Sequence, residues 1–338
     1  MVLESLGAIR PDSQPLRRVE LPNPVAGPNE IVLRVEACGV CHTELDEIEG
    51  RTAPPRLPIV LGHQVVGVVE SRGEGAHRFK LGERVGVAWI FSACGDCRFC
   101  REGNENLCPS FRATGRDAPG GYAERMKVLE AFAFPISDVF TPARAAPLFC
   151  AGAIGYRSLR LSALREGGLM GLTGFGASAH LVLQLVRHLH PGIQVHVFAR
   201  QEVQRRFALE LGAVWAGDTA ETPPEPLDAI IDTTPAWTPV VEGLRNLAPG
   251  GRLVINAIRK EAGDVDALQR LDYPIHLWME KEIKSVANVS RRDVAEFLDH
   301  AAVYGIRPEV QEYPFADANR ALAELKSGAG RGAKVLVH

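Results

Sequence analysis

No uninterrupted apolar run in the 338 residues approaches the roughly 18 needed to cross a bilayer, so no membrane partner is expected. Positive charge is not in excess either. The 38 Lys and Arg against 41 Asp and Glu leave a net charge of −3, which gives nucleic acid or an anionic membrane no basic surface. The opening MVLESLGAIRPD lacks a basic stretch leading into an apolar one, so no export signal is expected and the expected compartment is the cytoplasm. No internal repeat and no low-complexity tract is visible. At 46% hydrophobic and 23% charged residues, the composition excludes collagen, coiled coil and long disorder. A chain of this length, at roughly 150 residues per domain, has room for two domains with full cores.

Cysteine is scarce, and its placement is informative. The seven are Cys38, Cys41, Cys94, Cys97, Cys100, Cys108 and Cys150. An odd number argues against a fully paired disulfide framework, and in a reducing compartment clustered thiols read first as metal ligands. Cys94-Gly-Asp-Cys97-Arg-Phe-Cys100, followed after seven residues by Cys108, is the strongest local signal. Zinc takes four ligands in a tetrahedron, and with all four filled by thiolates no position remains for water or substrate, so this is expected to be a structural site. A nucleic-acid-binding zinc module is the alternative, disfavoured by the few basic residues in the segment.

Two textures divide the chain. Residues 1 to about 150 carry short apolar runs broken by Gly and Pro, with strands expected at Ile31–Glu36, Val65–Glu70 and Arg84–Ala88. From 152 to 286 the pattern alternates. Strands are expected at Gly168–Leu172, Val195–Phe198, Asp228–Asp232 and Leu253–Ile255, and helices at Ala177–Leu189, Glu202–Leu211 and about Val240–Leu247. Such alternation predicts a parallel sheet with helices on both faces. A helix near Asp293–Ala302 and a last strand, Lys334–Val337, follow. The expected domains are 1–151 with 287–338, and 152–286.

Between a predicted strand and helix lies Gly171-Leu-Thr173-Gly174-Phe175-Gly176, the context a dinucleotide fingerprint requires. Thr173 stands at the second glycine, which normally lets the backbone approach the pyrophosphate. It is expected either to hold the phosphate off or to bond it through its hydroxyl. The next strand ends Val197-Phe198-Ala199-Arg200. No acid at Ala199 is present to hold an NAD ribose, and Arg200 is suited to pair with a 2′-phosphate, so NADP(H) is expected to be preferred.

Three more segments are weak alone: Gly39-Val-Cys41-His42-Thr43-Glu44-Leu45, Gly62-His63-Gln64, and Cys150 within Ala145–Tyr156. Together with the cysteine cluster and Gly120-Gly-Tyr-Ala-Glu124, they resemble the zinc-dependent medium-chain alcohol dehydrogenases over nearly the whole chain, most closely the yeast and cinnamyl types. The resemblance implies an α/β protein with a GroES-like, mostly β catalytic domain and a Rossmann-type doubly wound cofactor domain. It implies that Cys41, His63 and Cys150 hold a catalytic zinc whose fourth position takes an alcohol or aldehyde oxygen, making two zincs per chain. Thr43 matches the hydroxyl that bonds the substrate oxygen, His42 a residue facing the pyrophosphate, and Glu44 an Asp that orients the histidine ligand. Lys334 falls where relatives place an arginine on the pyrophosphate; a simple edge-strand lysine is the alternative.

Two positions depart from the family. Asp46 stands where the yeast type has a relay histidine, and Gln64 where the motif usually has Glu, so one negative charge near the metal is missing. Trp89, Ile48 and Thr52 match substrate-wall positions, and Phe111 either joins them or packs against the zinc loop. Cys38 is expected in the core. The implied function is hydride transfer between a nicotinamide cofactor and a primary alcohol or aldehyde, in a homodimer or homotetramer. A polyol or secondary-alcohol dehydrogenase of the same fold is the alternative, and a non-catalytic zinc scaffold or redox sensor is one of another class.

Overall fold

The computed structural model describes residues 1–328 and 332–338. The chain divides into two compact units. One comprises Met1–Cys150, Val289–Ala302 and Arg307–His338, and the other Ala151–Asn288 with Val303–Ile306.

In the first unit the pivotal element is the Glu30–Val40 strand. Its run of Val, Ile and Leu suits a buried strand. It pairs antiparallel with Val65–Arg72 along one side, and along the other with Arg125–Leu129 at its start and Ala333–Val337 at its end. Val65–Arg72 continues to Arg84–Val87 and then Ala133–Pro135. The strand's end leads directly into the helix His42–Ile48, and the facing strand begins at Val65. Cys41 and His63 therefore sit at the same end of one antiparallel pair.

The second unit is a six-stranded, all-parallel sheet. Its order is Trp215–Gly217, Gln194–Phe198, Leu169–Thr173, Leu227–Asp232, Leu247–Ile255, Glu282–Ser285. Strand order reverses between Leu169–Thr173 and Leu227–Asp232, which is the crevice where open α/β sheets bind ligands. Phe198, Leu227, Ile230, Val240, Leu244, Leu247 and Leu253 form a core on this sheet. The helix Ala179–Leu189 follows the glycine turn and buries Leu181, Val182, Leu185 and Val186.

Several elements escaped the sequence pattern, among them Ala151–Ser162 and Glu282–Ser285. Ala151–Ser162 is a helix despite Gly152 and Gly155. Gly155 is there because a side chain would meet Val182 Cγ2 at 2.6 Å, so its absence lets this helix approach Ala179–Leu189. Glu282–Ser285 is a strand whose four residues are all exposed, so it carries no alternation to read. Lys334 is not an edge-strand lysine, because Ala333–Val337 lies inside its sheet between Val310–Pro314 and Glu30–Val40. No helix among the described residues is long and apolar enough to cross a membrane.

Candidate functional site

Among the described residues, two groups of side chains converge as metal ligands do: Cys41, His63 and Cys150, and Cys94, Cys97, Cys100 and Cys108. Within each group the ligand atoms lie within 4.8 Å of one another. A tetrahedron with metal–sulfur distances of about 2.3 Å has edges of about 3.8 Å. The Cys41 and Cys150 sulfurs are 4.0 Å apart. In the second group the sulfur separations are 3.9 Å for Cys94–Cys100, 3.6 Å for Cys97–Cys100 and 3.5 Å for Cys94–Cys108. Both sets therefore have the size of a zinc coordination shell.

The three-residue group is built from the start of the helix His42–Ile48. Cys41 is its N-cap, with extended backbone. Glu44 at the third helical position accepts the Cys41 amide through Oε2 at 2.8 Å, the arrangement of a capping box. Its other oxygen, Oε1, is 2.5 Å from His63 Nδ1. One buried carboxylate thus ties the turn carrying one candidate ligand to the ring of another. With Nδ1 engaged, His63 presents Nε2, which is buried and has no hydrogen-bond partner. A buried imidazole nitrogen left without a partner is costly unless something fills the space before it. A metal ion between Nε2 and the two sulfurs fits.

The electrostatics agree. Hydrogen bonding from Cys150 and the charge of His63 hold the Cys41 thiol well below its usual range, although burial opposes this. For His63, burial alone would depress protonation, but Glu44 and Cys41 outweigh it and push the imidazole well above its usual range. Both are signs of a site assembled for cationic charge. Replacing Glu44 by glutamine, which cannot accept both bonds as an anion, is expected to weaken zinc retention at the three-residue site 10- to 100-fold. Chelator competition measures this, and an unchanged zinc affinity would remove Glu44 from the ligand's support.

The neighbours are unequal to their sequence expectations. Thr43 is buried, with its hydroxyl 3.6 Å from Cys41 Sγ. His42 is exposed at the helix start. The Asp46 carboxylate is paired with Arg51 at 2.6 Å. Gln64 is buried with its amide against the backbone of Gly39. Ile48 is buried, at 0% exposure. Trp89 lies 5.1 Å from Phe111, ring to ring. The Trp89 indole N–H and the Thr52 hydroxyl are both buried without a hydrogen-bond partner. Cys38 is 1% exposed, and burial pushes its thiol far up. Glu47 escaped the sequence analysis. It is 1% exposed with neither carboxylate oxygen hydrogen-bonded, and burial followed by the charge of Glu44 pushes its carboxyl well up. Nothing in residue spacing marks it.

The four-cysteine loop shows amides aimed at sulfur. Cys108 Sγ accepts from the amides of Cys94 at 3.4 Å and Ser110 at 3.3 Å, and Cys94 Sγ accepts from the Cys97 amide at 3.4 Å. Burial raises the Cys108 thiol, but these amides outweigh it and bring it down to about 7.

In the second unit, Gly174 adopts φ +74°, and its amide donates to the Phe198 carbonyl at 2.8 Å. A left-handed residue here suits glycine. The turn continues through Phe175 and Gly176 into the helix Ala179–Leu189, whose N-terminus favours anions. The expectation for Thr173 is corrected. Its hydroxyl donates inward to Asp232 at 2.5 Å and the residue is 2% exposed, so it neither meets a phosphate nor holds one off. Ala199 is buried and Arg200 exposed, while Arg205 is occupied with the carbonyls of Ala199 and Arg200 and with Glu202. Lys334, in the first unit, is 4% exposed and donates to Tyr313 at 3.0 Å and Gln311 at 3.1 Å.

Comparison with known proteins agrees with this geometry. Residues 27–138 match the alcohol dehydrogenase GroES-like domain. The probable alcohol dehydrogenase AdhA of Mycobacterium tuberculosis is 42% identical over 331 residues, covering 96% of this chain and 94% of that protein. The crystal structure of AibC superposes with a TM-score of 0.87 at 27% identity, over 99% of this chain and 94% of that one. A protein of Sinorhizobium meliloti 1021, described as a zinc-binding dehydrogenase bound to NADP, superposes with a TM-score of 0.83 at 25% identity over 98% of each chain. A GroES-like unit joined to a doubly wound parallel sheet, with this ligand geometry and this degree of relatedness, means that the chain belongs to the medium-chain, zinc-type alcohol dehydrogenase family.

Proposed function

We propose that this alcohol dehydrogenase moves hydride between a primary alcohol or aldehyde of modest size and NADP(H), using two zinc ions per chain. The observation that carries this reading is the partnerless His63 Nε2 beside the Cys41 and Cys150 sulfurs. Cys41, His63 and Cys150 would hold the catalytic ion, and Cys94, Cys97, Cys100 and Cys108 the structural one. When bound, zinc polarises the substrate oxygen and the nicotinamide ring carries the hydride.

The chain's own residues do the rest. Glu44 fixes the His63 ring so that only Nε2 is presented. The Thr43 hydroxyl, 3.6 Å from Cys41 Sγ, would donate to the substrate oxygen and receive its proton. With Asp46 held by Arg51, that proton leaves by water. Trp89 and Thr52 supply buried donors around the substrate. The turn from Gly171 through Gly176 would receive the dinucleotide diphosphate at the helix N-terminus.

NADP(H) is favoured because Ala199 offers no acid to the ribose and Arg200 is free to reach a 2′-phosphate. Arg200→Ala is expected to raise the KM for NADPH about tenfold while leaving that for NADH near its starting value. Parallel kinetics with both reduced cofactors check this, and a wild-type enzyme strongly preferring NADH would overturn it. A homo-oligomer is supported by the open edge of the parallel sheet. Glu282–Ser285 is unpaired on its outer side there, with Ile283 46%, Trp278 55% and Met279 52% exposed. The activity itself is tested by a panel of aliphatic and aromatic alcohols and aldehydes, in both directions, with both cofactors and metal analysis. A metal-replete protein that turns over none of them would be a zinc scaffold.

A further inference from the structure

The second unit contains a buried ionic knot that the chemistry above does not use. Asp232, at the end of its strand and 0% exposed, forms an ion pair with Lys260, whose side chain is 6% exposed. A charge this deep is tolerated only when its hydrogen-bonding capacity is filled, and here it is. Asp232 Oδ1 accepts from the Thr173 hydroxyl at 2.5 Å, the Thr234 hydroxyl at 2.8 Å and the Thr234 amide at 3.3 Å. Oδ2 accepts from Lys260. The lysine's other donors go to the carbonyls of Thr234 at 2.8 Å and Ala236 at 2.9 Å. An ammonium has three N–H groups, and all three are used.

This knot clamps the segment 233–236, and that segment clamps the glycine turn. The Thr233 amide and hydroxyl both donate to the Thr173 carbonyl, at 3.0 Å and 2.9 Å. A side chain at Gly174 would lie 2.9 Å from Thr234 Cγ2 and 3.0 Å from Thr233 Oγ1. The two strands involved are neighbours on either side of the reversal of strand order, where the sheet's ligand crevice lies. A glycine at position 173 would leave Asp232 one donor short. Threonine there puts its side chain into the knot and leaves the outer face of the turn as open as glycine would.

We propose that Thr173, Asp232 and Lys260 are positioning residues that hold the Thr173–Gly176 turn in its diphosphate-accepting geometry. The Thr173 hydroxyl is the link between the knot and the turn. The inference rests on the reading of that turn as the dinucleotide site.

The test uses the full-length, zinc-loaded enzyme with NADPH as the probe. Thr173→Val keeps the shape and removes the donor, while Asp232 retains its pair with Lys260. Its Kd for NADPH, by calorimetry or fluorescence quenching, is expected to rise about tenfold, the size of one hydrogen bond to a charged group. The loss should fall on the NADPH KM rather than on kcat. Thr173→Ser, which restores the hydroxyl, should bind within about twofold of wild type. Thr173→Ala serves as the donorless variant should valine fail to fold. A donorless variant that binds NADPH as wild type does, with or without a lower Tm, overturns the proposal. So does a serine variant as weak as the valine one. A wild-type enzyme that binds neither NADPH nor NADH overturns instead the underlying reading of the turn.

Discussion

His63→Ala is expected to lower kcat/KM at least about a thousandfold and to remove one zinc per chain. A metal acting as Lewis acid supplies several kcal/mol to the reaction, and each 1.36 kcal/mol is a factor of ten. The histidine is the sole nitrogen donor among the three converging side chains, and its Nε2 has no other use in the protein. Its removal also leaves Glu44 buried with a charge whose main partner is gone. Some loss of stability should therefore accompany the loss of activity. Metal analysis separates the two effects, because a merely destabilised enzyme would keep both ions below its melting temperature. Activity within tenfold of wild type would place the chemistry elsewhere.

Cys97→Ser is expected to cost the second ion and to lower the melting temperature by on the order of 10 °C. From residue 92 through 110 only Glu105 and Cys108 are buried, so this loop has no hydrophobic core of its own. The short helix Arg98–Arg101 buries nothing. What shapes the loop is the convergence of four sulfurs, with an outer anchor where Glu105 pairs with Arg291. A serine oxygen is a poorer zinc ligand than thiolate and sits about half an ångström short of the sulfur's reach, so the tetrahedron fails. Calorimetry and limited proteolysis would show the change, with new cleavage confined to the loop. If the variant retained two zincs and its melting temperature, the loop would be self-supporting, against its lack of buried apolar surface.

Much of this protein could be read from local pattern. The alternation of strands and helices from 152 to 286 predicts the parallel sheet, and the structure departs from the expected bounds by a few residues at each element, except that Leu247–Ile255 begins six residues early. The cysteine cluster was legible because its four members fall within fifteen residues of chain, where spacing alone brings ligands together. The other trio was not, since strand pairing brings Cys41 near His63, Cys150 comes from the end of the short helix Ala146–Phe149 far along the chain, and the three were reached only through resemblance.

The amino-acid order by itself determined which chemistry was available: thiolates, an imidazole and a glycine-bearing turn before a helix. Tertiary structure decided what each polar side chain does with it. Arg51 pairs with Asp46, Tyr313 and Gln311 occupy Lys334, and Asp232 turns Thr173 inward. The reason is that hydrogen bonds and ion pairs act over about three ångströms. In a folded chain those few ångströms separate residues that are five positions apart, as Arg51 and Asp46 are, or 59, as Thr173 and Asp232 are, and neither contact is recorded by sequence spacing.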